Sequence, residues 1–454
     1  MKVFFRRIHL YLGLVSGLFL VVVCLTGSLL VFEEELTHAF HHERYFVEAT
    51  ATPRLSLAQL TDAVRATKPK AKINNLKVYA DPTRSVEVSL AGSGRPGGAE
   101  GRGQDRRERG SESRGQGRRE QSGESHEGMR EQHGAGSASG REQRDERQAS
   151  RGEGGRTGNG LAGGPNAKGG RGGKGGDRGP TLFLNPYTGA ILGEFKQQES
   201  FFHFIEQIHR GLVAGRVGKL IMGINSIIFL FILGTGIVLW WPTARNMLTQ
   251  RLQVKWGSSW KRLNHDLHIV LGFYASVFLF IMALTGVGMS FDWVGKTINT
   301  LTHSPQQRPE PPTSAAAAPG TVKFGADAAL AVARQQTPDA ESYTVQLPKE
   351  PTGSIQLGIL PAGALTERAT NDVYLDQYSG QVLRQQPYAQ KPVGQRIRGL
   401  FKPVHTGAIF GWPTKLVALV IVMLGATFPI TGTILWLNRT RKAKKKGPTR
   451  VAMA

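Results

Sequence analysis

The chain has a single cysteine, Cys24, so it can close no disulfide of its own and its thiols give no guide to redox compartment. Acidic residues are scarce: 34 Asp and Glu stand against 57 Lys and Arg, for a formal net charge of +23. There is no Gly-rich dinucleotide fingerprint, which argues against a flavin or nicotinamide module within the chain. Charge is also missing from four long stretches, 10–32, 220–241, 269–291 and 416–437. Each is long enough to cross a bilayer as a helix, at about 1.5 Å per residue. An integral membrane protein is expected.

The first stretch follows Lys2, Arg6 and Arg7, as a signal peptide would, but its apolar run is too long and lacks a small-x-small cleavage site. Val23 stands where a lipoprotein anchor at Cys24 would need a small residue, so the stretch reads as a retained helix. Basic residues near helix ends set the orientation. Arg245, Arg251, Lys255, Lys261 and Arg262 in a short loop, and Arg439, Arg441, Lys442, Lys444, Lys445 and Lys446 in the tail, belong inside. Arg6 and Arg7 join them, whereas Glu33, Glu34, Glu35 and Asp292 follow outward helix ends. Arg210, Arg216, Lys219, Lys402 and Lys415 run against this count without reversing it. The expectation is a multi-pass protein of the bacterial inner (cytoplasmic) membrane with both termini cytoplasmic and two long segments outside.

The chain is internally duplicated. The first apolar stretch carries His9, Gly13, Thr26-Gly27 and Phe32; the third carries His268, Gly272, Thr285-Gly286 and Phe291 at the same offsets. Ahead of and within the second stretch stand His209, Gly211, Gly215, Lys219 and Thr235-Gly236, matched around the fourth by His405, Gly407, Gly411, Lys415 and Thr431-Gly432. Residues 182–192 and 373–383 also match, each alternating apolar positions around a Tyr-x-Gly turn. That pattern predicts a β-hairpin with Gly189 and Gly380 at positive φ. A helical segment (57–67, 326–335) and a strand-like run (85–90, 354–360) precede each hairpin.

These patterns define the fold class: a membrane α-helical protein of four transmembrane helices in two helix–domain–helix units, with two small α+β outer domains. The divisions fall at 1–36 (first helix), 37–200 (first outer domain), 201–242 (second helix), 243–263 (inner loop), 264–292 (third helix), 293–395 (second outer domain), 396–438 (fourth helix) and 439–454 (basic tail). Within the first outer domain, residues 92–180 are rich in Gly, Arg, Ser, Gln and Glu and almost devoid of aliphatic and aromatic residues, so they can bury no core. Arg-Gly composition suits RNA, but an outer segment meets little of it; a disordered insertion and no nucleic-acid partner are expected.

An ionisable side chain at a membrane helix is costly unless it faces the bundle, a partner or a cofactor. His9 and His268 fall at the inner ends of the helices and His209 and His405 at the outer ends, two layers of two. A parallel duplication implies a pseudo-two-fold axis along the membrane normal, which turns equivalent residues toward each other. A low-spin haem iron takes one imidazole from above and one from below, so such pairs suit it. Gly13, Gly272, Gly211 and Gly407 would let a flat macrocycle approach the backbone. For a single histidine, snorkelling or capping is the simpler reading; four at matched offsets favour ligation. Lys219, Lys415, Arg6 and Arg7 fit haem propionates or lipid phosphates equally well. His265 shares a helix face with His268 and competes with it as inner ligand. His38, His41 and His42 form a second metal-binding candidate or an exposed loop. The Thr-Gly pairs read as close-packing positions, and Trp240, Trp241 and Trp436 as an aromatic belt.

Several of these motifs together resemble the PepSY-associated transmembrane family, which includes iron-uptake-linked ferric-siderophore reductases of bacterial inner membranes. The carriers are Arg7-Ile8-His9-Leu10 with Leu25-Thr26-Gly27, Ile208-His209-Arg210 with Leu239-Trp240-Trp241-Pro242, Asp266-Leu267-His268, Pro403-Val404-His405-Thr406-Gly407 and the two hairpins, spread over nearly the whole chain. The resemblance implies periplasmic PepSY domains and b-type haem held by His9, His209, His268 and His405. Two haems b are therefore expected. Electrons would pass from a quinol or a separate flavoprotein to a ferric siderophore or other ferric chelate. Two alternatives stand beside this reading. One is a non-enzymatic anchor whose outer domains capture a peptide, protease or siderophore. The other, ranked last, is a transporter in which the histidines relay protons.

Overall fold

The computed structural model describes residues 1–92, 178–316 and 320–445. Most of the Arg/Gly-rich insert, with the disorder expected for it, and the end of the basic tail lie outside the described residues. Eight helices organise the rest: α1 (Lys2–Val31), α2 (Leu57–Thr67), α3 (Phe201–Gly211), α4 (Gly215–Trp240), α5 (Trp260–Ser290), α6 (Ala326–Gln336), α7 (Val393–Thr406) and α8 (Trp412–Lys445). Helices α1, α4, α5 and α8 are long and apolar enough to cross a membrane, so the chain is a multi-pass membrane protein.

Helices α1 and α5 each pack against both α4 and α8, which places α1 and α5 across the diagonal of a four-helix bundle. The middle of the bundle is filled by Leu233, Ala275, Leu279 and Ile421, and beside them by Cys24, Val422, Ala426 and Met282. Small residues let the backbones close up, as lipid-embedded packing requires. A Cβ at Gly425 would lie 3.0 Å from Cys24 Sγ, and one at Gly17 would lie 3.2 Å from Pro429 Cβ.

Two boundaries differ from the sequence expectation. The second and fourth membrane helices, expected to run unbroken over 201–242 and 396–438, are each split. Helix α3 ends on Leu212 and Val213 in left-handed geometry (φ 50° and 58°) before α4 begins, and α7 ends on Gly407 at φ 76° before α8 begins. The chain doubles back tightly at both places. A Cβ at Gly211 would come 3.1 Å from the Lys219 backbone nitrogen, and one at Gly407 2.6 Å from the Thr414 carbonyl oxygen. Gly211 and Gly407 are therefore needed for the turns themselves. The short helices they release lie against the diagonal pair, α3 on α1 and α7 on α5.

The extramembrane parts carry the expected helix-plus-hairpin build. Strands β1 (Ile73–Tyr79), β2 (Val86–Ala91), β3 (Arg178–Leu184) and β4 (Ile191–Phe195) form the first half; β5 (Ala340–Gln346), β6 (Ile355–Pro361), β7 (Asn371–Leu375) and β8 (Val382–Gln386) form the second. Instead of closing separately, the halves share one antiparallel sheet in the order β4-β3-β2-β1-β5-β6-β7-β8. At the seam Leu76 faces Val345, Lys77 faces Thr344 and Val78 faces Tyr343, so each half supplies the other's missing neighbour. Helices α2 and α6 cover one face, burying Leu60, Val64, Val88, Leu182, Val345, Leu357 and Leu375 in a common core. Asp327 ties the halves further: its carboxylate accepts from the Leu57 and Ala58 amides at 2.5 and 2.9 Å and caps α2 from the neighbouring half.

Both hairpin turns form as expected, with Gly189 at φ 73° and Gly380 at φ 71°. In the first, Asn185 Oδ1 accepts from the Tyr187 and Thr188 amides; in the second, Asp376 Oδ1 accepts from Tyr378 and Ser379 while Oδ2 accepts from Ala315. The Ser379 amide, aided by Tyr378 and Ala315, holds the Asp376 carboxyl below its ordinary range. A lowered carboxylate pKa adds stability that is complete above the unfolded value near about 4 and lost as pH falls through the folded one. Asp376→Ala should cost about 2 kcal/mol at neutral pH. In thermal unfolding followed by circular dichroism, Asp376→Asn should lose less stability than the parent between about pH 5 and pH 2.

Candidate functional site

The four histidines singled out by their spacing meet in two pairs. His9 of α1 faces His268 of α5 with ring centres 6.4 Å apart and planes at 90°; His209 of α3 faces His405 of α7 at 6.0 Å and 74°. The second pair lies at the end of the bundle nearest the sheet, the first at the opposite end. They are separated by the stretch of α1 from His9 to Thr26, about 25 Å of helix. His268 occupies a π-helical turn, Leu267–Leu271, a local widening that often marks functional positions in helices.

Every one of these rings is held in the same way. His9 Nδ1 lies 2.9 Å from Thr235 Oγ1 and His268 Nδ1 2.9 Å from Thr431 Oγ1; His209 and His405 stand 3.1 Å from Thr26 and Thr285. For His209 and His405 a carbonyl three residues before the threonine adds a second acceptor, Val23 at 3.1 Å and Met282 at 2.8 Å, and the Ile232 and Phe428 carbonyls stand at the same place beside His9 and His268. Each threonine hydroxyl donates its own proton back along its helix, to Val22, Ile232, Ile281 and Thr427 respectively for Thr26, Thr235, Thr285 and Thr431. Hydroxyl oxygen and carbonyl are thus both acceptors, and Nδ1 must carry the ring proton. Nε2 is left with a free lone pair and has no hydrogen-bond partner among the described residues.

The glycine after each threonine makes room for the ring. A Cβ at Gly27, Gly236, Gly286 or Gly432 would lie 3.2, 3.3, 3.3 or 3.2 Å from Cε1 of His209, His9, His405 or His268. The Thr-Gly pairs, read from the sequence as packing positions, are the sockets of the histidines. Their shared offset in all four helices carried that signal, but spacing along one helix does not tell which neighbour's side chain it receives.

Two imidazoles bound through Nε2 to opposite sides of one metal, each bond about 2 Å, have ring centres about 6 Å apart, as both pairs do. No group of three or more His, Cys, Asp or Glu able to hold a bare metal ion occurs among the described residues. Two imidazoles are too few for zinc, whereas an iron porphyrin brings four nitrogens and asks the protein for two. Room beside the rings also fits a flat group: a Cβ at Gly13 would meet nothing within 4 Å, and one at Gly272 only the Phe428 ring at 3.9 Å.

Other sequence candidates fall elsewhere. His265 points away from its neighbour's pair, with Nδ1 3.2 Å from the buried Asp266 carboxylate and nearly half its side chain exposed. His38 packs on Tyr45 and Phe46 and His42 stacks on Phe46, while the nearest ionised neighbour of His41 is Glu43 at 3.9 Å. These rings do not converge. Burial, with Arg84 beside it, pushes the His38 imidazole below its ordinary value. Lys415 is buried and spends its charge on Glu35 at 2.5 Å, whereas its counterpart Lys219 is exposed, as are Arg6 and Arg7. The position equivalent to Glu35 in the second unit is Val294, so the ion pair exists once. Trp240 is no belt residue: it is buried and stacks on Phe273 at 3.6 Å, while Trp241 and Trp436 are the exposed ones.

The sequence profile of the PepSY-associated TM region family matches residues 6–439. Comparison with curated proteins finds no match.

Lys415→Met should strand the Glu35 carboxylate and cost about 2 kcal/mol, less than the full penalty of a deeply buried pair because Glu35 is partly exposed. Lys219→Met should be near neutral, and adding Glu35→Gln to Lys415→Met should recover most of the loss in detergent-solubilised thermal melts.

Proposed function

The chain belongs to the PepSY-associated TM region family, and from that premise we propose that it is a two-haem oxidoreductase of the bacterial inner membrane, carrying electrons across the bilayer to a ferric chelate on the sheet side. The supporting observation is the repeated arrangement of crossed imidazole pairs, each with Nδ1–H tied to a threonine and a carbonyl and Nε2 free. His9 and His268 would hold one haem b toward the cytoplasm, and His209 and His405 a second toward the periplasm. Bound there, the groups supply one-electron carriage that no side chain of the chain offers. The protein's part is to fix the ligand tautomer, keep the rings face to face and exclude water with the apolar layer between them.

A donor at the cytoplasmic end must come from outside the chain, as quinol or a separate flavoprotein. The Arg6 and Arg7 side chains, exposed at that end, suit propionates there or the phosphates of the surrounding lipid. At the other end Lys219 is free for the same role, while Lys415 is engaged by Glu35. The acceptor, a ferric siderophore or similar chelate, would be reduced by one electron and lose its grip on the iron, the sheet domain standing over that end of the bundle.

A dithionite-reduced minus oxidised spectrum of the pure full-length protein, with haem counted per chain, should give about two haems. His9→Ala with His268→Ala, or Gly236→Leu alone, should lower the count toward one and leave the other pair loaded. Absence of a Soret band after haem-replete expression defeats the proposal. So does undiminished biological activity in a chain lacking all four histidines, which would favour a purely binding role for the outer domains.

A further inference from the structure

Nothing in two matched ligand positions requires two imidazoles to be crossed rather than parallel, yet both pairs are crossed, at 90° and 74°. Rotation about a metal–nitrogen bond is intrinsically easy, so the plane of an axial imidazole is decided by what its other nitrogen holds. Here that is a hydroxyl and a carbonyl at fixed points on a different helix. His9 is held by α4 and His268 by α8, His209 by α1 and His405 by α5. The adjoining glycine seats the Cε1 edge, so the ring is fixed on two sides.

We propose that Thr26, Thr235, Thr285 and Thr431 are positioning residues that hold each pair of imidazoles crosswise and thereby set the electronic state of the iron ligated between them; this rests on the haem reading above. A ring donates π density at right angles to its own plane. Parallel rings act on the same iron dπ orbital and split it from its partner, whereas crossed rings act on one orbital each and leave the two nearly equal. The unpaired electron of low-spin ferric iron then keeps a large orbital moment. The acceptors on Nδ1–H also enrich Nε2 in electron density, which favours the ferric state and lowers the midpoint potential.

The test is electron paramagnetic resonance of the oxidised full-length protein, with haem per chain and the two midpoint potentials measured on the same sample. Crossed rings predict strongly anisotropic low-spin signals, each a single line at unusually low field, in place of the three-line rhombic spectrum of parallel rings. Thr431→Val keeps the shape and removes the oxygen. It should shift the signal of the His9–His268 pair toward the rhombic form and raise that pair's potential, with haem still near two per chain, and Thr431→Ser should restore both. Thr285→Val makes the same test independently on the other pair. A rhombic signal in the parent, or threonine variants that move neither signal nor potential, overturns the proposal while leaving haem binding intact. A chain that takes up no haem overturns the reading beneath it, and this one with it.

Discussion

A histidine set among membrane helices must place its ring proton somewhere, because no water competes for it and an unmade hydrogen bond there costs several kcal/mol. In this chain the proton on Nδ1 goes to the backbone of another helix, through a carbonyl and a threonine oxygen that has already given up its own proton. That contact does two things together. It ties helices α1, α4, α5 and α8, with the short segments α3 and α7, into one arrangement, and it leaves the opposite nitrogen of every ring as a base. The hydrogen bond that satisfies each ring is also the one that leaves its Nε2 free, and it is made four times.

The duplication turns that contact into a site. Within each unit the histidine of one helix enters the Thr-Gly socket of the other, His9 into Thr235-Gly236 and His209 into Thr26-Gly27, and the second unit repeats it. Packing the units about a two-fold then brings like to like on the diagonal. The two units are not equal, however. Pro429 packs on Gly17 where the other unit has Leu233 and Ser276, and Lys415 has Glu35 where Lys219 has Val294. The two units thus hold their histidines alike and differ in the packing and charge beside them.

Much of this architecture could be read from residue order. The four uncharged runs, the shared offsets and the Tyr-x-Gly turns located the membrane helices, the histidine layers and both hairpins. The splitting of α3 from α4 and of α7 from α8 escaped, because Gly211 and Gly407 look the same in a sequence whether they admit a ligand or reverse the chain. Strands β1 and β5 escaped too: segments such as Ile73–Tyr79 mix Asn and Lys with their apolar residues and carry little strand signal alone. What makes them strands is each other. Helical spacing alone leaves His265 beside His268; the duplicated offset, which only His268 shares, favours it, and the hydrogen bond of His265 to Asp266 accounts for where the other ring goes.

The register between β1 and β5 places Leu76 opposite its own counterpart, Val345, so the sheet's local two-fold passes through that pair. One unit by itself would present an unfilled strand edge and half of every histidine pair, and a second copy of the same unit would repair both. Within one chain the two halves stand as two copies would in a symmetric homodimer: the partner is always present, at a concentration no dissociation can dilute, and either half can differ from the other without losing it.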